Sequence, residues 1–263
     1  MTEIVFSHAN GFSFQCYQQF TEQLSPYPVT GIESYGDGEY YPHKSWQPLL
    51  KQLEDHLAAR KAAGADKFIG IGHSLGGVLT VWAAKKHPEL FDMVFVIDPP
   101  IFAPLKRLGI LVAKTLGVAD KVIPPAIKTK NRKGQFKSRE EAHEQWKSRR
   151  LFKAFTPQCL QDYVNNGLVP SRTGKGFELA IPVSLELQIF VTNPHRHGNL
   201  RLPLPFYFFY SEGGETLQKS DQKWLKKASN AAFIPFSAGH MWPMEQPKAV
   251  AETIKKLIAK HQG

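Results

Sequence analysis

The segment Phe68–Ala84 reads FIGIGHSLGGVLTVWAA, an apolar run that meets small and aliphatic residues at a serine set between two glycines. The spacing is Gly72-x-Ser74-x-Gly76. A strand that turns this sharply into a helix forces its central residue into unfavourable backbone angles, and positions two away must lack side chains to avoid collision. The hydroxyl is lifted out of the packed layer, and the helix behind it aims its positive end at any charge that develops there. Ser74 is therefore displayed as a nucleophile. Such a hydroxyl attacks at neutral pH only when a base takes its proton. Of the ten histidines, His240 in FSAGHMWPMEQP stands directly after the last apolar strand and before the C-terminal helix, on a loop that faces the same end of a sheet. His73 adjoins the serine and must point elsewhere, because neighbours in a tight turn cannot face each other. His195-Arg196-His197 has a metal-like spacing but no third ligand cluster, so it reads as an insert loop.

The elements that must carry these residues follow from the hydrophobic pattern. Short runs, apolar at nearly every position, recur at 3–8, 28–34, 67–73, 92–98, 205–211 and 231–237, as in strands covered on both faces. Helix-period segments lie between them at 13–24, 45–62, 76–87, 217–229 and 247–260. Strand alternating with helix means right-handed crossovers and a parallel, doubly wound sheet. The alternation breaks between about 100 and 200, where helices at 102–117, 138–153 and 157–167 are expected and no buried strand is. Thr156 caps the last of these, with Pro157 at its first position. The organisation predicted is a core of residues 1–99 and 201–263 with a helical cap, 100–200, inserted over one sheet edge.

The 263-residue chain carries 33 Lys and Arg against 23 Asp and Glu, a net charge of +10. Ten basic residues and three acidic ones fall between 128 and 153, so this stretch alone holds +7. It reads as a solvated face or as a patch for anionic ligands. No nucleic-acid-binding signature accompanies it, so no nucleic-acid partner is expected. Cys16 and Cys159 lie in no metal or redox spacing and are expected as free thiols of a cytoplasmic protein; no apolar run is long enough for stable membrane insertion. The residues call for neither metal nor cofactor, and they leave the oligomeric state open.

With Ser74 in its strand-turn-helix setting and His240 after the last strand, the chain resembles the α/β-hydrolase superfamily over nearly its whole length. The resemblance implies a mostly parallel sheet in the order 4-3-5-6-7-8 of the superfamily's strands. Only three residues precede IVFSHANGF, so the usual first two strands are missing and six remain. It also implies an oxyanion site after the first strand: SHANGF matches as His8-Ala9-Asn10, giving the N–H groups of Asn10 and Leu75 as donors, with Gly11-Phe12 as the other register. Most relatives carry the third catalytic residue, an acid, after the seventh strand. Here Gly214 occupies that position, Glu215 is one residue late and Glu212 two early. Other relatives take the acid from the tip of the sixth strand, where VFVIDPP supplies Asp98. Asp98 is the preferred acid and Glu215 the alternative; the acid fixes the tautomer of the histidine and stabilises its cation.

A serine nucleophile excludes the aspartate-dependent reactions of relatives and leaves acyl-enzyme chemistry. The expectation is a carboxylesterase acting on a small-molecule ester with a small or medium hydrophobic acyl group. The alternatives are an acyl thioesterase and a non-catalytic ligand receptor. Phe12, Phe102 and Trp242 are the expected pocket residues, beside cap residues such as Leu105, Trp146 and Phe155.

Overall fold

In the computed structural model, which describes residues 2–214 and 216–262, nine strands and twelve α-helices are assigned. The strands are β1 Glu3–Ser7, β2 Val29–Thr30, β3 Phe68–His73, β4 Phe91–Ile97, β5 Gln135–Phe136, β6 Leu168–Pro170, β7 Phe177–Leu179, β8 Phe206–Ser211 and β9 Ala232–Phe236. The helices are α1 Gln18–Thr21, α2 Gln47–Ala62, α3 Leu75–Lys86, α4 Pro104–Thr115, α5 Ala119–Val122, α6 Pro124–Lys130, α7 Arg139–Lys147, α8 Pro157–Asn166, α9 Val183–Val191, α10 Lys219–Ala228, α11 Trp242–Glu245 and α12 Pro247–Gln262. The main sheet has six strands in the order β2-β1-β3-β4-β8-β9, and every pair in it is parallel. In superfamily numbering this is the expected 4-3-5-6-7-8 order.

Each strand feeds two cores, because successive side chains leave opposite faces of a sheet. Ile4, Phe6, Phe95, Ile97 and Phe209 pack on one side with Phe20 of α1 and Val250, Ile254 and Ile258 of α12. Val5, Val94, Val96, Phe206 and Phe208 pack on the other with α2, α3 and Leu225 of α10. The apolar runs were continuous because both faces are covered.

The expected helix at 13–24 is broken into 3-10 turns around α1. The expected strand at 28–34 shrinks to two residues. Between β4 and β8 the helices expected at 102–117, 138–153 and 157–167 are present as α4, α7 and α8; Thr156 caps α8 by accepting the N–H of Cys159 at 3.1 Å. The insert also contains α9 and a small antiparallel sheet, β5-β7-β6, which the pattern did not announce. Strands of two or three residues carry no period to read, and α9 (VSLELQIFV) is apolar nearly all round. Among the described residues, no helix is long and apolar enough to cross a membrane.

Candidate active site

Ser74 ends β3 and opens α3 with φ +53° and ψ −117°, a conformation that L-residues avoid. The sharpness of the turn is set by its glycines. A Cβ on Gly76 would stand 2.0 Å from the carbonyl oxygen of Ser7, and one on Gly72 would stand 2.4 Å from that of Gly76. Neither neighbour can move, since both are backbone. The turn is pinned by Ser74 N–H donating to Ile97 O at 2.9 Å and by Gly76 N–H donating to His8 O at 3.2 Å.

Asp98 stands one residue beyond β4, also at positive φ (+44°), with its N–H held by Phe209 O at 2.9 Å. Its side chain is fully buried and reaches His240, which lies between β9 and α11. His240 Nδ1 is 2.7 Å from Asp98 Oδ2, and Nε2 is 3.1 Å from Ser74 Oγ. With Nδ1–H given to the carboxylate, Nε2 is left bare to accept the Ser74 hydroxyl proton. Thr216 Oγ1 lies 2.8 Å from the same Nδ1, so that one N–H faces both a carboxylate and a hydroxyl. The alternative acid, Glu215, lies outside the described residues.

Of the expected oxyanion donors, Leu75 N–H opens α3 beside Ser74, and Asn10 N–H follows the His8 carbonyl that receives Gly76. Among the described residues neither N–H makes a hydrogen bond. The Asn10–Gly11 turn is closed by Phe12 N–H donating to Ala9 O at 3.3 Å. Gly11 has φ +80°, and a Cβ there would meet the Glu186 carboxyl group at 3.0 Å. The insert grips this turn: Asn10 Nδ2 donates to Glu186 O at 2.9 Å, while the Glu186 carboxylate receives Arg132 at 2.6 Å and Thr129 at 3.1 Å. Arg132 also donates to the Tyr163 hydroxyl oxygen, and that hydroxyl donates to Gly11 O at 3.4 Å. Burial pushes the Tyr163 phenol up to about 12, so it remains a donor at neutral pH.

Behind Ser74 runs a second chain of hydrogen bonds that spacing did not reveal. Ala9 N–H donates to the Tyr17 hydroxyl oxygen at 3.2 Å, the Tyr17 hydroxyl and His73 Nδ1 are 2.8 Å apart, and His73 Nε2 is 2.9 Å from His240 O. A carbonyl only accepts, so His73 carries its proton on Nε2 and takes the Tyr17 hydroxyl proton on Nδ1. Burial, then the nearby His240, holds His73 well below the ordinary histidine range. His73 thus points away from the hydroxyl of Ser74, as expected, and through Tyr17 ties Ala9 to the backbone of His240.

Phe12 packs among Tyr17, Phe152, Phe155 and Tyr163. Trp242 stacks on Phe236 with centroids 4.2 Å apart, and Lys106 sits 3.8 Å over the Phe102 ring. All three expected pocket residues are buried. They line neither an open groove of about 610 Å³ bounded by Arg150, Ser211–Gly213 and Ser237–Gly239 nor a smaller one of about 200 Å³ at the start of α2.

The sequence profile of the Alpha/beta hydrolase family matches residues 4–253, and the chain belongs to that family. No curated protein matches it in sequence. Among solved structures it is similar to a peroxisomal α/β-hydrolase from Saccharomyces cerevisiae, at TM-score 0.73 and 16% identity over 99% of this chain and 76% of that one. A thioesterase domain from the curacin biosynthetic pathway gives TM-score 0.70 and 14% identity over 96% and 90% of the two chains. An esterase of M. tuberculosis gives 0.68 and 17% over 98% and 85%. At these identities the likeness is one of fold.

Proposed function

We propose that the protein is a serine hydrolase that cleaves carboxylic esters of small or medium hydrophobic acyl groups through an acyl-enzyme. The observation that carries this reading is the line of Ser74 Oγ, His240 and Asp98 at 3.1 and 2.7 Å. In the forward step Ser74 Oγ bonds to the ester carbonyl carbon while its proton passes to His240 Nε2. The carbonyl oxygen becomes an oxyanion and accepts from Asn10 and Leu75 N–H, each donor contributing about 3 kcal/mol. The imidazolium then protonates the departing alcohol. Water repeats the sequence in reverse, losing its proton to His240 and releasing the acid and Ser74. Asp98 holds the Nδ1–H tautomer and faces the transient cation.

Residues 100–200 act as the cap, and through Arg132 and Glu186 they hold the Asn10–Gly11 turn in place. A p-nitrophenyl ester series of increasing acyl length, run beside acyl-coenzyme A, tests the substrate class. Turnover of short and medium esters that vanishes in Ser74→Ala supports it. Turnover confined to the thioester replaces the ester assignment, and no turnover of either contradicts the enzymatic reading.

A further inference from the structure

Four of the ten basic residues in the most highly charged stretch of the sequence are matched by acids in the fold. In 128–153, Lys130 pairs with Asp120, Arg132 with Glu186, Lys133 with Glu141 and Lys147 with Glu144. Cations distant in sequence gather without acids instead. The groove of about 200 Å³ at the start of α2 is lined by Lys44, Trp46, Trp82, Lys114, His195 and Arg196, together with uncharged residues and no carboxylate. Among the described residues, Lys44, Lys114 and Arg196 make no ion pair.

The site is built rather than merely exposed. Lys114 donates to Thr192 O at 3.1 Å and Asn193 O at 3.2 Å, which fixes its ammonium group and leaves its third N–H unspent. Arg107 lies seven residues earlier on the same face of α4. Behind the wall, His197 is 4% exposed, with its ring centroid 6.0 Å from that of Trp82. Ten buried side-chain polar atoms among the described residues have no hydrogen-bond partner, and five of them are here: His197 Nδ1 and Nε2, His195 Nδ1, Arg107 Nε and Asn193 Oδ1. Buried polar groups are hydrogen-bonded in the large majority of cases, so such a concentration points to a ligand. No Cys, Asp or Glu completes a metal set with the two histidines among the described residues. Burial and the cations Lys114, Arg196 and Arg107 hold His195 below its ordinary range, a surplus of positive charge that an anion relieves.

We propose that this groove binds the phosphoryl group of a small molecule, separately from Ser74. A tetrahedral dianion presents three acceptor oxygens, which matches the several donors lining the groove on Lys44, Lys114, Arg196 and His195 better than a planar carboxylate does. The half-buried Trp82 indole lies beside them to receive an organic portion.

Calorimetric titration of the full chain with inorganic phosphate and with adenosine monophosphate, at fixed ionic strength in chloride, tests this. Saturable one-to-one binding is expected, weakened at least tenfold by Lys44→Met, Arg196→Met or Lys114→Met and unaffected by Ser74→Ala. The first two positions are exposed, so those variants keep the test valid if Lys114→Met fails to fold. Tighter binding of the nucleotide assigns the site to a phosphate ester, and equal or weaker binding assigns it to the free anion; both support a phosphoryl site. Absence of saturable binding overturns the proposal. So does an equal loss in the control Lys128→Met/Lys153→Met, which removes two exposed cations elsewhere.

Discussion

At the carboxyl end of the sheet a Cβ on Gly76 would lie 2.0 Å from a backbone oxygen, whereas one on Gly109, midway along α4 in the insert, would meet nothing within 4 Å. The same contrast runs through both regions. The only non-glycine residues at positive φ among those described are Ser74 and Asp98, both at the sheet end. Such strain costs about 1–3 kcal/mol each and persists only where the surroundings over-determine it. Parallel strands on both sides and bonds to Ile97 O and Phe209 O supply that constraint. The insert instead leaves Leu105, Leu108, Val112 and Leu116 of the α4 region at 48–82% exposure, and it meets the candidate site chiefly through the Arg132–Glu186 grip. Backbone strain is concentrated at the sheet end, and apolar exposure is concentrated on α4 of the insert.

The largest effect that tests this contrast is catalytic. Asp98→Asn should lower kcat/KM for a turned-over ester by about 10⁴-fold, the loss expected when the tautomer is no longer fixed. Glu215→Gln should stay within tenfold, and the reverse pattern moves the acid to the loop after β8. Next, Gly76→Ala should lose about 3 kcal/mol by denaturant unfolding, since the clash is with backbone; a neutral result means that the turn is looser than described.

A pH effect of similar or smaller size reaches both regions. Burial holds His8 at the sheet end and His197 in the insert at about 4, against 6.5 for an ordinary histidine. The unfolded chain therefore takes up these protons first as pH falls, and the contribution of each histidine to stability declines from about pH 6.5 to about pH 4, by up to about 3 kcal/mol. His197→Gln should flatten that decline; an unchanged slope contradicts the burial of a neutral ring. Smallest is Gly109→Ala, expected to stabilise the protein by about 0.5–1 kcal/mol as an open helix position. Destabilisation there would erase the difference between the regions.

Much of the sheet end was legible because its constraints are local. The Gly72-x-Ser74-x-Gly76 turn and the apolar runs of β3 and β4 each lie within a few residues, and so does the Thr156-Pro157 helix start in the insert. His240 was expected from its place after the last apolar strand and Asp98 from the resemblance to relatives with an acid at the tip of the sixth strand; the structure brings the two side chains to 2.7 Å. What escaped is what pairs across the chain: Tyr17 with His73 over 56 positions and Asn10 with Glu186 over 176. Contiguous charge is a poor guide to free charge: within 128–153, Lys130, Arg132, Lys133 and Lys147 meet acids in the fold, whereas Lys44, Lys114 and Arg196, distant in sequence, line one groove without a carboxylate. The Thr216 hydroxyl at His240 lies two residues past Gly214, in the loop where an acid was sought, and a search confined to carboxylates passes over it.

The most direct test is the rate at which a fluorophosphonate labels Ser74, followed by intact mass in the wild type and in His240→Gln. Rapid single labelling, slowed at least 10³-fold without the imidazole, is the expected result. Equal rates in the two proteins would mean that the hydroxyl is not activated by that ring, and the account of the sheet end as a catalytic device would fail.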